Sequence, residues 1–323
     1  MRKLVQILVL WISLGIVLSG CVVLSKPIST AEALPKSIPT LSPTPSLIAV
    51  VDGLGRKVTL AQPAQAIVSL APSVSEILYA IGAGSQVVGR DSFSNFPVAV
   101  KEVQDVGGSM GNYSLEMIAQ LNPDLVLAAE INTPEQVNAL EELGLTVYYI
   151  SNPKDLEGLY PILEKIGLLT GHAPEALSLV DSLKGRVDKV TKIISQINSR
   201  PLVFYELDGT EPAKPWTSGP GTYLDQLIQM AGGVNLGASM TEAWAQISLE
   251  EILVQDPNLI LLGDSIYGMT PEQVSARPGW EKLTAIQQDR ILAFNDDLVS
   301  RPGPRLVDGL EELAKLIHPE LFN

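Results

Sequence analysis

Two stretches of this chain read almost alike. SLEMIAQLNPDLVL (Ser114–Leu127) and SLEEILVQDPNLIL (Ser248–Leu261) agree at 7 of 14 positions without a gap, and TPEQV then follows both, at Thr133–Val137 and Thr270–Val274. Each copy has helix–proline–strand grammar, an amphipathic run closed by a proline and followed by a short apolar run. A matched order of two motifs implies one α/β unit used twice, hence two similar lobes over about residues 66–153 and 200–318.

Working outward, short apolar runs at Ala66–Leu70, Leu125–Ala128, Val147–Ile150, Leu202–Tyr205, Leu259–Leu262 and Ile291–Ala293 read as strands. Helical patterns fall between them, at Val74–Ile81, Leu115–Leu121 and Pro134–Leu143. Fully apolar strands alternating with helices predict an α/β fold with largely parallel, buried sheets. Ahead of them, Ile48–Leu60 reads as a hairpin around Asp52-Gly53. Between the copies, Asp155–Thr170 and Ala173–Ile197 carry helical spacing. The second predicts a helix of about 25 residues, about 37 Å, long enough to join the lobes rigidly. The expected domains are an N-terminal lobe at 48–153, connecting helices at 154–198 and a C-terminal lobe at 199–323. A ligand belongs in the cleft between the lobes.

The first 47 residues read differently. Arg2 and Lys3 precede an apolar run from Leu4 to Leu18, too short to span a bilayer, then Ser19, Gly20 and Cys21. This predicts an export signal at 1–20. Cys21 is the sole cysteine, and LSGC resembles a bacterial lipoprotein cleavage box, which implies lipidation of its sulfur and anchoring to the membrane. Residues 21–47, with five prolines among Ser and Thr, read as a solvated tether. The folded part is then expected in the periplasm or on the outer cell surface, as a monomer.

Formal charge is −14, and −16 once Arg2 and Lys3 leave with the signal. No basic patch interleaved with aromatics occurs, which disfavours nucleic-acid binding. His-Glu-x-x-His is not present, and no cysteine remains as a nucleophile, so no catalytic residues are expected. His172 and His318, the only histidines, lie near helix boundaries and cannot easily build a metal site. No intrinsic cofactor is expected; a metal carried inside its own chelator remains compatible. The rival readings are a lipoprotein that senses or adheres without a permease and, less favoured, a carboxylate-based enzyme.

In parallel sheets ligands meet the loops after strand C-termini. That rule selects Asp91 with Phe93, Tyr113 in Gly111-Asn112-Tyr113, Glu130, Trp216 with Thr217, Trp244, Tyr267 and Arg301. Aromatics can stack on a planar chelate, and arginine can fork onto carboxylate.

The ordered segments SLAPSVSEILYAIGAGSQVVGR (Ser69–Arg90), Val106-Gly-Gly, Ser114–Leu127, Ile166–Gly171 and RPGPRLVDGLEELA (Arg301–Ala314) resemble the substrate-binding proteins of ABC importers for iron–siderophores, haem and cobalamin. The resemblance implies a bilobal fold with a rigid connecting helix. It also implies a bound chelate of cobalt or iron, and delivery to a permease dimer with its ATPase. The same resemblance assigns permease docking to Glu76 and, by placing Asp225–Gly233 over Glu76–Gly84, to Asp225, although the family usually has Glu there. Ser69–Arg90 and WAQIS (Trp244–Ser248) resemble the cobalamin-binding branch, so a corrinoid is the first choice, with ferric siderophore and haem next. An anionic siderophore would require several cleft arginines, for which Arg90, Arg277 and Arg301 are the candidates.

Overall fold

The computed structural model describes residues 47–108 and 111–322. The signal, Cys21 and the tether up to residue 46 lie outside the described residues. The described residues fall in one compact unit.

Both parallel sheets form as the apolar runs predict. In the N-terminal lobe an antiparallel hairpin, β1 (Ile48–Val51) and β2 (Lys57–Leu60), precedes five parallel strands. These are β3 (Ile67–Ser69), β4 (Val87–Arg90), β5 (Gln104–Asp105), β6 (Leu125–Ala129) and β7 (Val147–Ile150), in the order β5-β4-β3-β6-β7. In the C-terminal lobe β8 (Leu202–Glu206), β10 (Val234–Asn235), β12 (Leu259–Leu262) and β13 (Ile291–Ala293) lie parallel in the order β10-β8-β12-β13. Between β8 and β10 the chain also forms β9 (Trp216–Ser218), which pairs antiparallel with β11 (Trp244–Gln246) in a short ribbon that the sequence does not announce.

Helices α1 (Pro72–Ala80), α2 (Leu115–Gln120) and α3 (Pro134–Glu142) cover the first sheet. Helices α4 (Leu156–Thr170) and α5 (Ala173–Ile194) connect the lobes. The second lobe adds α6 (Tyr223–Met230), α7 (Leu249–Gln255), α8 (Pro271–Ser275), α9 (Thr284–Gln287) and α10 (Leu306–Ile317).

The internal repeat is a repeat of structure, down to single hydrogen bonds. Ser114 caps α2 by accepting from Met117 N, and Ser248 caps α7 by accepting from Glu251 N. Asn122 and Asp256, each before a proline, both take left-handed backbone (φ 46° and 50°) to leave the helix. Two residues on, Asp124 accepts from the amides of Gln65 and Ala66 ahead of β3, and Asn258 from that of Leu202 at the start of β8. Thr133 and Thr270 then close reciprocal capping boxes with Gln136 and Gln273.

The connecting helix α5 has 22 residues, about 33 Å, one turn less than its sequence pattern predicts. Gly171 ends α4 in left-handed backbone (φ 79°). Gly167 lets α5 approach so closely that a Cβ there would sit 2.6 Å from that of Ala176. The buried stripe Ala176, Val180, Leu183, Val187, Val190 and Ile194 joins a core that holds Ile67 and Leu78 of one lobe and Val203 and Leu310 of the other. One apolar core therefore runs through both lobes. At roughly 1.5–3 kcal/mol per fully buried aliphatic side chain, this stripe stiffens the joint far more than a pair of extended linkers would.

Candidate ligand-binding site

In each sheet the chain leaves the first strand in one direction and later crosses to the other side, so the crevice at the strand C-termini opens between β3 and β6 and between β8 and β12. The first crevice supplies Ala71, Pro72, Ser73 and Glu130-Ile131 to a cavity of about 530 Å³. The C-terminal lobe closes that cavity with Tyr267, Asp297, Ser300 and Arg301-Pro302. The second crevice holds a smaller compartment of about 310 Å³, lined by Leu207, Asp208, Thr210, Asp264, Tyr267 and Met269. Tyr267, 85% exposed, borders both.

Of the sequence-derived candidates, Glu130, Tyr267 and Arg301 line the cleft. Glu130 is exposed and accepts from Asn152 N at 2.7 Å. Asp91 does not line it. It is 2% exposed and turned onto its own loop, accepting from Phe93 N at 2.9 Å and from the Ser94 hydroxyl. Ser94 continues through Ser75 to Ser69, so this buried relay holds the loop while its neighbour Phe93 faces the cavity. Burial pushes the Asp91 carboxyl above the ordinary range.

Tyr113 lies to one side. Its hydroxyl donates to Leu70 O (2.9 Å) and accepts from Asn132 (2.7 Å), and burial first, then the Asp91 charge, pushes it up to about 12. It lines a separate pocket with Gly111, Asn112 and Gln136. Trp216 and Trp244 do not line the cavity either; both are 43% exposed. The ribbon register pairs Trp216 with Gln246 and Trp244 with Ser218, which sets the two indoles diagonally on one face. Asp208 bridges to Trp216 at the base of this ribbon, so the pair stands next to the smaller compartment.

The docking acids implied by the resemblance are both enclosed in this conformation. Glu76 is 3% exposed, and its carboxylate bridges the lobes. It accepts from Arg301 Nη1 (3.0 Å) and Arg305 Nε (2.8 Å), with Arg305 Nη2 on the same group. Arg301 also donates to Asn95 (2.8 Å) and pairs with Asp297 (2.8 Å), and the Arg305 guanidinium lies 4.2 Å above the Phe96 ring. Asp225, 6% exposed, accepts from Asn235 and Gln229 within its own lobe. Its neighbour Gln226 ties this lobe to the connecting helices, accepting from Leu156 N at 3.0 Å at the start of α4.

None of the three candidate cleft arginines is free. Arg90 is held by Asp91 O and Asp105, Arg301 by Glu76 and Asp297, and Arg277 by a bidentate pair with Glu206 (2.6 and 2.8 Å). Meanwhile, among the described residues, Glu130, Asp208 and Asp264 face the cavities without a cation paired to them. The clefts therefore present acceptors and aromatic or aliphatic surface, a poor receptor for a polyanion. Asp297 and Ser300, missed in the sequence, follow the last strand and obey the strand-end rule that found the others.

The periplasmic binding protein family model matches residues 67–298. The chain belongs to this family. An uncharacterized ABC transporter substrate-binding lipoprotein of Bacillus subtilis is 31% identical over 95% of both chains. The vitamin B12-binding protein of Vibrio cholerae is 29% identical over 78% of this chain and 88% of its own length. Among solved structures, a possible iron-binding, periplasmic solute-binding protein of Staphylococcus epidermidis superimposes with TM-score 0.70 at 28% identity, covering 80% of this chain and all of its own. The periplasmic haem-binding protein of Roseiflexus gives 0.71 at 25% identity, over 80% and 99%. This binding protein is thus a non-enzymatic, substrate-binding component of ABC-importer type, with the two-lobed α/β fold its repeat predicts. No described helix is long and apolar enough to cross a membrane.

Proposed function

We propose that this binding protein is an exported lipoprotein, acylated at Cys21, that captures a corrinoid between its lobes and hands it to an ABC permease. The observation that carries the ligand choice is the charge balance of the cleft. Its arginines are committed to carboxylates, and the charged groups left unpaired in its lining are carboxylates. A corrinoid, with a flat apolar ring edged by neutral amides, suits such a surface. A catecholate siderophore or the propionates of haem would meet Glu130, Asp208 and Asp264, acids with no cation paired to them to offset the repulsion. The likeness to vitamin B12-binding relatives points the same way. In the proposed cycle Glu76 meets a permease arginine by exchanging it for Arg301 and Arg305, so docking opens the contact between the lobes; Asp225 serves the second subunit.

The test is titration of residues 45–323 with cyanocobalamin, haem and ferric siderophores, following tryptophan fluorescence. Trp216 and Trp244, each 43% exposed, are the expected reporters. Quenching by cyanocobalamin at micromolar or lower concentration is expected; quenching by a siderophore alone overturns the corrinoid choice.

A further inference from the structure

Among the described residues, every hydrogen bond to the Glu76 carboxylate comes from the opposite lobe, from Arg301 and Arg305. The same two arginines hold a second point on the first lobe, Arg301 through Asn95 and Arg305 over the Phe96 ring. The backbones meet here too: a Cβ on Gly303 would lie 3.4 Å from Ser73 O and 3.9 Å from Glu76 Oε2. With the carboxylate only 3% exposed, a permease arginine cannot reach it while this contact holds. Asp225 is different. Its partners Asn235 and Gln229 belong to its own lobe, so parting the lobes leaves it as it was.

The Glu76 contact is also one wall of the main cavity. Pro72 and Ser73, at the start of the helix that carries Glu76, line it from one side, and Arg301-Pro302 from the other. A volume of about 530 Å³ suits a drug-sized ligand, and a cobalamin is larger by far. A chelate seated there therefore pushes this wall apart. The movement is small, since a hydrogen bond stretched by about 1 Å is already lost. A shift of that size asks for no hinge, which the apolar core shared by the lobes would resist.

We infer that the Glu76–Arg301–Arg305 contact is a ligand-released mask: the empty protein hides its first-lobe docking acid in the opposite lobe, and chelate binding uncovers it for a permease arginine. This rests on the proposed capture and docking, and adds to them a way for the permease to tell loaded protein from empty. The ligand does beforehand part of the opening that docking would otherwise do alone.

The experiment labels carboxylates of residues 45–323 with carbodiimide and glycine ethyl ester, read by mass spectrometry, with and without saturating cyanocobalamin. In empty protein Glu76 should label as slowly as the fully buried Glu206. With cyanocobalamin Glu76 should label at least about tenfold faster, while Glu130 in the cavity lining slows. Glu206 and Asp225 should not change, whereas general loosening would speed them all. Arg305→Met removes the bidentate partner and should expose Glu76 without ligand. It should also tighten cyanocobalamin binding about tenfold by calorimetry, because the binding-competent fraction rises. A merely structural defect would weaken binding instead. If cyanocobalamin slows Glu130 while Glu76 stays slow, or Arg305→Met fails to tighten binding, the mask is refuted and corrinoid capture stands. If haem or a ferric siderophore slows Glu130 and cyanocobalamin does not, the corrinoid choice falls; the mask survives where Glu76 speeds with that ligand and falls where it does not. If no probe slows Glu130, capture in this cleft fails and the mask with it.

Discussion

Glu76 is the residue at which a sharp perturbation is most informative. The Glu76→Gln substitution keeps the side chain's size and removes its charge from between two guanidinium groups. The carboxylate is 2% exposed and each arginine side chain 12%, so water offers little compensation. Breaking one partner of a buried pair costs about 3–5 kcal/mol. Arg301 retains Asp297 at 2.8 Å, and the glutamine oxygen retains one acceptor, so the cost is shifted below that range, to about 2–4 kcal/mol. For a unit of this size, at roughly 2–4 °C per kcal/mol, the melting midpoint should fall by about 4–16 °C. The assay is thermal unfolding of residues 45–323 by circular dichroism, with Arg305→Met and the double variant completing a cycle. A coupling energy of at least about 1 kcal/mol between the two positions is expected. A Glu76→Gln midpoint within a degree of wild type, or additive single effects, would refute the claim that this carboxylate holds the lobes together.

Arg277→Met should strand the fully buried Glu206 and cost about 3–5 kcal/mol, and adding Glu206→Gln should recover much of the loss in urea unfolding. Asp124→Ala and Asn258→Ala remove equivalent ties to β3 and β8 and should each cost about 1 kcal/mol; a large cost at one site and none at the other would contradict the equivalence of the two units. The pH dependence has a definite sign. Burial holds Asp91, Glu206, Asp264 and Asp296 above the ordinary carboxylate range, so the folded chain binds protons there before the unfolded chain does. Stability should therefore rise as pH falls from about 7 into the window above about 4. The Arg186 hydrogen bond holds Glu311 below the ordinary range, so its contribution is lost only below about pH 4, where the melting midpoint should turn down. A midpoint that falls steadily from neutral pH would show that the buried carboxylates do not dominate.

What the sequence determined by itself is everything that neighbouring residues can encode. Ser114 and Ser248, Asn122 and Asp256, Thr133 and Thr270 act within a few positions of themselves, so a repeat of letters became a repeat of caps, turns and strands. The strand-end rule likewise reached Glu130, Tyr267 and Arg301, because in a parallel sheet the position of a loop follows from strand order. It failed for Asp91 and Tyr113, whose loops lie where expected but whose side chains turn inward to satisfy buried backbone and hydroxyl groups. Only the tertiary structure decided which charges are available. Glu76 meets Arg301 and Arg305 across 225 and 229 residues, and Glu206 meets Arg277 across 71. An arginine reads the same in sequence whether its guanidinium awaits a ligand or is already held by a buried acid. That choice is made by packing two lobes around one core, where a charge leaves water only beside its partner.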